Sequence, residues 1–385
     1  MTKGDPVGRK LLLWLAMGLI LGVCHPLPAN AQTWPLWESY NRYVVDDQGR
    51  VIDRSAQDHT TSEGQAYAMF FALVADDRSR FDKLLSWTEI NLAGGDLTLH
   101  LPAWSWGRSP DGSWKVLDPN PASDADLWVA YSLLEAGRLW HEPRYEKLGT
   151  IVAIRIAQLE VAYVPGLGTT LLSGPVGFHP NDSTWVLNPS YMPPFILARL
   201  SDAMPLGPWG AVLNSLQPIL AQGSGDGFAM DWVTAGTGVR PSPPPGKEDA
   251  ASVGSYEAIR VYLWLGISNP NTPRVSELLA AVSGMAVYMK SHATPPEVVD
   301  ASGRVLGLNA PPGFSAAMVP YLQSVGMRAQ ARAQMDRLAT TRNPAMGLYG
   351  RTPVYYDQNL ALFSTGWAEQ RYRFDPDGRL KVKWR

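Results

Sequence analysis

Cysteine is nearly absent from this 385-residue chain: Cys24 is the only one, and none follows it. Beyond that position, disulfides, thiol nucleophiles and thiolate metal sites are excluded together. An excess of either charge is also missing. Lys and Arg number 33 against 35 Asp and Glu, a formal net charge of −2, so no basic field draws the chain to nucleic acid or anionic lipid. Long apolar runs are lacking too, since Leu11 to Val23 covers only about 13 residues, short of the ~20 that span a bilayer. His59, His100, His141, His179 and His292 form no close His-x-x-His pair, so no metal centre is expected. There is no Gly-x-Ser-x-Gly elbow and no phosphate-binding Gly-x-x-x-x-Gly-Lys loop, and no cofactor is expected.

What is present is a globular composition, 45% hydrophobic and 18% charged, with 15 Trp and 15 Tyr. The Trp share suits a protein that stacks flat, neutral ligands, although large aromatics are also core residues. At the start, Lys3, Arg9 and Lys10 precede the short apolar run, and Ala29-Asn30-Ala31 follows it. A basic start, a short hydrophobic centre and a small-x-small site form a secretory signal, with an uncleaved anchor as the alternative. Val23 before Cys24 lacks the small residue of a lipoprotein signal. Residues 1–31 are therefore expected to be removed, leaving 32–385 as one domain in the periplasm or outside the cell, without membrane insertion. A disulfide-free secreted chain must draw its stability from a large core.

Apolar positions recur at helical spacing. Tyr67, Phe70, Phe71 and Val74 share one face, as do Leu127, Ala130, Tyr131 and Leu134, and Ile259, Tyr262, Leu263 and Gly266. Further helices are expected near Arg80–Leu92, Ile151–Leu159, Pro194–Ala203, Ser276–Lys290 and Ala316–Ala339. Strand-like alternation is sparse, and Arg240-Pro-Ser-Pro-Pro-Pro-Gly246 reads as an extended surface loop. The pattern predicts an all-α domain of ten or more helices.

Three of these helices open on acidic residues: Thr61-Ser62-Glu63, Ser123-Asp124-Ala125-Asp126 and Ser255-Tyr256-Glu257. Singly, each fits ordinary helix capping, and Thr60 and Glu63 have capping-box spacing. Together, on helix starts that converge, they can line one cleft and hydrolyse a glycosidic bond. That chemistry needs a protonated acid at the leaving oxygen and a second carboxylate for water or carbon. A helix N-terminus lowers a carboxyl pKa, so burial and neighbouring negative charge must outweigh it at the acid. Trp104, Trp106, Tyr191 and Trp232 are candidate sugar platforms, with Arg108 beside the first two.

The run Ala122-Ser-Asp124-Ala-Asp126 through Trp140 resembles the 19-residue signature of the family-8 glycoside hydrolases, with Val129 a mild departure. Thr61-Ser-Glu63-Gly-Gln65-Ala-Tyr67 is also similar. Asn91 to Asp96, Leu187 to Tyr191 and Tyr356 to Phe363 resemble the subgroup of endoglucanases that accompanies bacterial cellulose synthase. The resemblance implies an (α/α)6 barrel of six inner and six outer helices with a long cleft at one end. It also implies endo-hydrolysis of β-1,4-glucan with inversion, by a monomer needing no cofactor, beside the synthase complex. By position Glu63 matches the general acid and Asp124 the aspartate that positions the sugar at the cleavage point, with Asp126 a further binding candidate. At the base, the family's Ser-Tyr-x-Ala-Ile-Arg motif carries Asp, and here it carries Glu257. Arg260, one turn on, is a further substrate-binding candidate, placed to pair with Glu257. Two rival functions follow from that departure and from the wider family: a catalytically weakened glucan-binding component of the secretion system, or a hydrolase of another β-1,4-linked polysaccharide.

Overall fold

The computed structural model describes Met1 and residues 33–385, so the expected signal segment lies outside the described residues apart from Met1. In chain order the helices are α1 (Pro35–Val44), α2 (Ser62–Val74), α3 (Arg78–Leu92), α4 (Ser123–Trp140), α5 (Pro143–Leu159), α6 (Pro194–Ala203) and α7 (Trp209–Gly223). Then come α8 (Ala258–Ile267), α9 (Val275–Ala281), α10 (Ser283–Met289), α11 (Pro312–Ser324), α12 (Arg328–Thr340) and α13 (Tyr355–Ala368). Local chemistry sets many of their starts. Thr61 caps α2 by accepting from the Gly64 amide at 3.1 Å, and Asp77 caps α3 from the Arg80 amide at 3.0 Å. Proline occupies the first turn of α1, α5, α6 and α11, where its missing N–H costs nothing.

Burial sorts the helices into two layers. In α2, α4, α6, α8, α11 and α13 nearly every residue is buried on all sides, whereas α3, α5, α7 and α12 bury one stripe. The buried helices touch in sequence, α2 to α4, α6, α8, α11 and α13, and α13 returns to α2. Each is backed by an outer partner: α3, α5, α7, α9 and α12 in turn, and α1 against α13. This is the closed (α/α)6 barrel that the sequence implied.

Aromatic rings fill its axis. Phe363 of α13 lies 5.0 Å from Tyr67, 4.9 Å from Trp128 and 5.0 Å from Trp264, joining α2, α4 and α8 at one point. Several of the Trp residues are therefore core. At the C-terminal end of the inner helices, buried Glu135 accepts from Arg199 Nε at 2.6 Å, from Arg138 and from the Leu380 amide at 2.8 Å.

The two ends of the barrel differ. Turns leading from an inner to an outer helix are short, such as 75–77 between α2 and α3 or 141–142 between α4 and α5. Connections leading inward are long and carry strands. After β1 (Thr60–Thr61), α3 and α4 are joined by the hairpin β2 (Ala103–Arg108) and β3 (Trp114–Pro121), and β1 pairs with β2. Between α5 and α6 lie β4 (Val161–Val164), β5 (Gly168–Leu171) and β6 (Trp185–Leu187). Next come β7 (Trp232–Ala235), β8 (Arg240–Ser242) and β9 (Val253–Gly254) before α8, and β10 (Val298–Asp300) with β11 (Val305–Gly307) before α11. A terminal hairpin, β12 (Tyr372–Phe374) with β13 (Leu380–Val382), follows α13 at the opposite end.

These strands are two to eight residues long, most of them too short for alternation to show in the sequence, and the longest, β3, has no buried face. The proline-rich stretch begins as edge strand β8, where Pro241 opposes Val233 and needs no outward N–H. Two expected helices are each divided. The 276–290 segment breaks at Val282, and the 316–339 segment breaks at Gly326, whose φ of +80° favours glycine.

Inner helices α8 and α11 pack so closely that a Cβ on Gly266 would lie 2.2 Å from the Tyr321 nitrogen and 2.5 Å from the Pro320 carbonyl carbon. Since backbone cannot yield as a side chain does, Gly266→Ala should cost about 3 kcal/mol, read as a lower urea midpoint.

Candidate active site

Three inner helices deliver carboxyl groups to one point. Glu63 stands in the first turn of α2, Asp124 in the first turn of α4, and Glu257 immediately before α8. Between them lies the Arg260 guanidinium, with only 2% of its side chain exposed. Its Nη1 donates to Glu63 Oε2, to Asp124 Oδ2 at 3.2 Å and to the Tyr67 hydroxyl at 3.4 Å. Its Nη2 donates to Glu257 Oε2 and to Ser190 Oγ at 3.1 Å. The expected pairing of Arg260 with Glu257 is present, and Arg260 also holds the other two acids. Rather than lying open to ligand, it is a buried positioning residue.

Each acid has a second support. The Tyr355 hydroxyl at the start of α13 donates to Glu63 Oε1 at 3.3 Å. Asp124 Oδ1 accepts from the Ala125 amide at 2.8 Å. Asn188 Nδ2 donates to Glu257 Oε2 at 3.0 Å, while Asn188 Oδ1 accepts from the amide and hydroxyl of Ser190. The turn carrying Glu257 is itself pinned. Asp231 accepts from the Ser255 amide and hydroxyl and from the Ala258 amide, and the Tyr356 hydroxyl donates to the Tyr256 carbonyl.

Both protein donors to Glu257 use Oε2. Among the described residues Oε1 receives none, and 34% of this side chain is exposed. Glu63 is less open, at 18%, and Asp124 nearly closed, at 6%.

The electrostatic balance favours a held proton. Burial pushes the Glu63 carboxyl up, Arg260 pulls it down and Glu257 pushes it up again, for a net rise. Asp124 is pushed up to about 8, by burial first and then by Glu63 and Glu257 against Arg260. The condition set by the sequence, that burial and neighbouring charge outweigh the helix terminus, is met at Glu63.

The remaining expected site residues divide. Trp104 on β2 is exposed, edge-on to His59 at 6.0 Å, and β2 pairs through Ser105 with Thr61, which caps the helix bearing Glu63. Trp106 is partly covered: Trp114 stacks on it at 5.2 Å and the Arg50 guanidinium lies 4.5 Å from its ring centre. Trp114, not singled out from the sequence, is the exposed member of that stack. Tyr191 lies 5.5 Å from the Arg260 guanidinium and 6.2 Å from Trp232, which stacks on Phe178 at 5.9 Å. Arg108 is exposed on the hairpin, turned back to the Gly112 carbonyl at 3.4 Å, and bonds none of the carboxylates.

Asp126 requires correction as a binding residue. It has no accessible surface and faces Glu160, on the protein side of α4, because a residue two beyond Asp124 points to another side of the helix. Sequence reading missed Asn188, Ser190, Asp231 and Tyr355. Only Asn188 carried a local signal, as an Asn-Pro turn starter within Leu187 to Tyr191. Among the described residues no group of three His, Cys, Asp or Glu side chains is arranged to hold a metal ion.

Comparison with known proteins supplies the context. The sequence profile of the glycosyl hydrolases family 8 matches residues 12–370. An endoglucanase of Xanthomonas axonopodis pv. citri is 45% identical over 381 residues, covering 96% of each chain. One from Escherichia coli K12 is 42% identical over 359 residues, covering 92% of each. The crystal structure of an endo-1,4-D-glucanase from Vibrio fischeri superposes with a TM-score of 0.84 at 39% identity, over 91% of this chain and 99% of that one.

If one guanidinium holds three acids, its loss leaves buried carboxylates unpaired. Arg260→Met should lower stability by about 3 kcal/mol at pH 7. At pH 5 the loss should be smaller, since removing the cation takes away what holds these carboxyl pKa values down and protonation then relieves the unpaired charge. Urea denaturation at the two pH values checks the difference.

Proposed function

Because this chain belongs to glycosyl hydrolase family 8, we propose that its carboxyl cluster is the catalytic centre of an endo-β-1,4-glucanase. It hydrolyses internal bonds of cellulose with Glu63 as acid and Glu257 as base. The observation that carries these roles is the asymmetry between the two groups on Arg260. Glu63 is the more enclosed and burial pushes its carboxyl up, while Glu257 has one oxygen fixed by two donors and the other free.

Glu63 gives its proton to the glycosidic oxygen as the bond to the anomeric carbon breaks. Water attacks that carbon from the opposite face, and Glu257 Oε1 accepts the proton the water sheds, so configuration inverts. Asp124 positions the sugar at the cleavage point. Trp104, Trp106, Tyr191 and Trp232 supply apolar faces along a cleft built by the long inward connections, with Arg108 at its edge.

Residues 1–31 are a signal peptide in this reading, and 32–385 is a single-domain, monomeric hydrolase in the periplasm or outside the cell, working beside the cellulose synthase complex. The subgroup-like segments and the basic, short-apolar start support that placement. No described helix is long and apolar enough to cross a membrane.

Reducing-end release from carboxymethylcellulose tests the assignment. Wild type should cut, and Glu63→Gln and Glu257→Gln should each lose nearly all activity. Glu257→Asp should fall by about 100-fold, since the shorter arm withdraws the base by ~1.5 Å from a site shaped for Glu. A gain in turnover for Glu257→Asp would instead mark a weakened enzyme. Binding of cello-oligosaccharides without cutting by wild type would favour the glucan-binding alternative.

A further inference from the structure

Two carboxyl groups outside this mechanism, Asp126 and Glu160, have no accessible surface. Asp126 lies in the first turn of α4, two residues beyond Asp124, and Glu160 joins the end of α5 to β4. The two side chains adjoin, yet none of their four oxygens receives a hydrogen bond from a described donor. The charged groups facing them are each other and Asp124. No described cation pairs with either, and Arg260 is engaged with Glu63, Asp124 and Glu257.

Two ionised carboxylates in contact, out of water and without a cation, would each be an acceptor with nothing to accept. One proton resolves this, because an O–H on one acid then donates to the other. Burial pushes both groups up, Glu160 to about 8, which agrees with a retained proton. The backbone closes the same circuit. The Glu160 carbonyl accepts from the Leu172 amide at 2.7 Å, and the Leu172 carbonyl accepts from the hydroxyl of Ser123, the first residue of α4, at 2.6 Å. The turn that carries Asp124 is thus held from both sides.

We propose that Asp126 and Glu160 share one proton in the folded protein at neutral pH, and that Glu160 thereby acts as a positioning residue for Asp124. The second half rests on the role proposed for Asp124 in hydrolysis; the first half does not.

The test compares wild type with Asp126→Asn, Glu160→Gln and Glu160→Ala. The native chain keeps a proton that the unfolded chain has released, so the wild-type urea midpoint should fall as pH rises from about 5 to 9. Each amide supplies a permanent N–H and should make that fall shallower. Glu160→Gln should keep kcat near wild type, whereas Glu160→Ala should lower it about tenfold with KM little changed. Equal pH slopes in wild type and both amides would overturn the shared proton, and an unchanged kcat in Glu160→Ala would overturn the positioning role. Should the amide variants not fold, infrared spectroscopy at pH 7 of a Glu63→Gln, Asp124→Asn double variant, which lacks the other two buried acids with raised pKa at the site, decides: a deuterium-sensitive band of a buried protonated carboxyl supports the pair, and its absence overturns it. Failure of the hydrolase reading would show separately, as wild type that releases no reducing ends.

Discussion

A single guanidinium, nearly out of water, answers three carboxyl groups that arrive from three inner helices of the barrel. The charges do not match, since one positive group cannot neutralise three buried negative ones at low dielectric. Protons must make up the difference. Arg260 therefore fixes the position of the acids and limits how many of them can be ionised together. Asp124 and Glu63 are the more enclosed and burial pushes both carboxyls up, whereas Glu257 is the most open of the three and keeps one oxygen without a described donor. Burial thus gives different surroundings to carboxyl groups that all stand on helix starts and share the same cation.

The fold supplies this arrangement through an end-to-end asymmetry. All six inner helices begin at one end, where the inward connections are long enough to carry strands and turns. The opposite end is tied by short turns and by Glu135 with Arg138, Arg199 and Leu380. A rigid aromatic plug around Phe363 holds the helix starts apart at fixed spacing. Helix dipoles pointing into one region would ordinarily ionise every acid there. Burial among packed rings is the stronger effect at Glu63 and Asp124.

Much of this was legible in the chain. Periodicity located α2, α4 and α8, the three helices that carry the acids, and the acidic residues at their starts named Glu63, Asp124 and Glu257. Asp126 was misplaced because sequence adjacency hides direction: two residues on a helix turn a side chain by about 200°. The bonds made by Asn188, Asp231 and Tyr355 were hidden for a different reason, although Asn188 opens a recognisable Asn-Pro turn. Each acts across more than 20 residues of chain, through a single hydrogen bond or a few, and leaves no periodic trace. Helix α13 was missed as a helix because its apolar positions surround it, giving no stripe to detect. The small sheets were too short for alternation to register.

The contact between α13 and α2 joins elements from opposite ends of the chain. Tyr355, which bonds Glu63, is separated from it by nearly the whole domain. Local contacts within helix pairs can form as the polypeptide emerges, but this closure pays the loop entropy of roughly 290 intervening residues at once. The acid group consequently lacks its final partner until the last inner helix arrives. A chain ending before α13 would lack both Tyr355, a partner of Glu63, and Phe363, the ring at which α2, α4 and α8 meet.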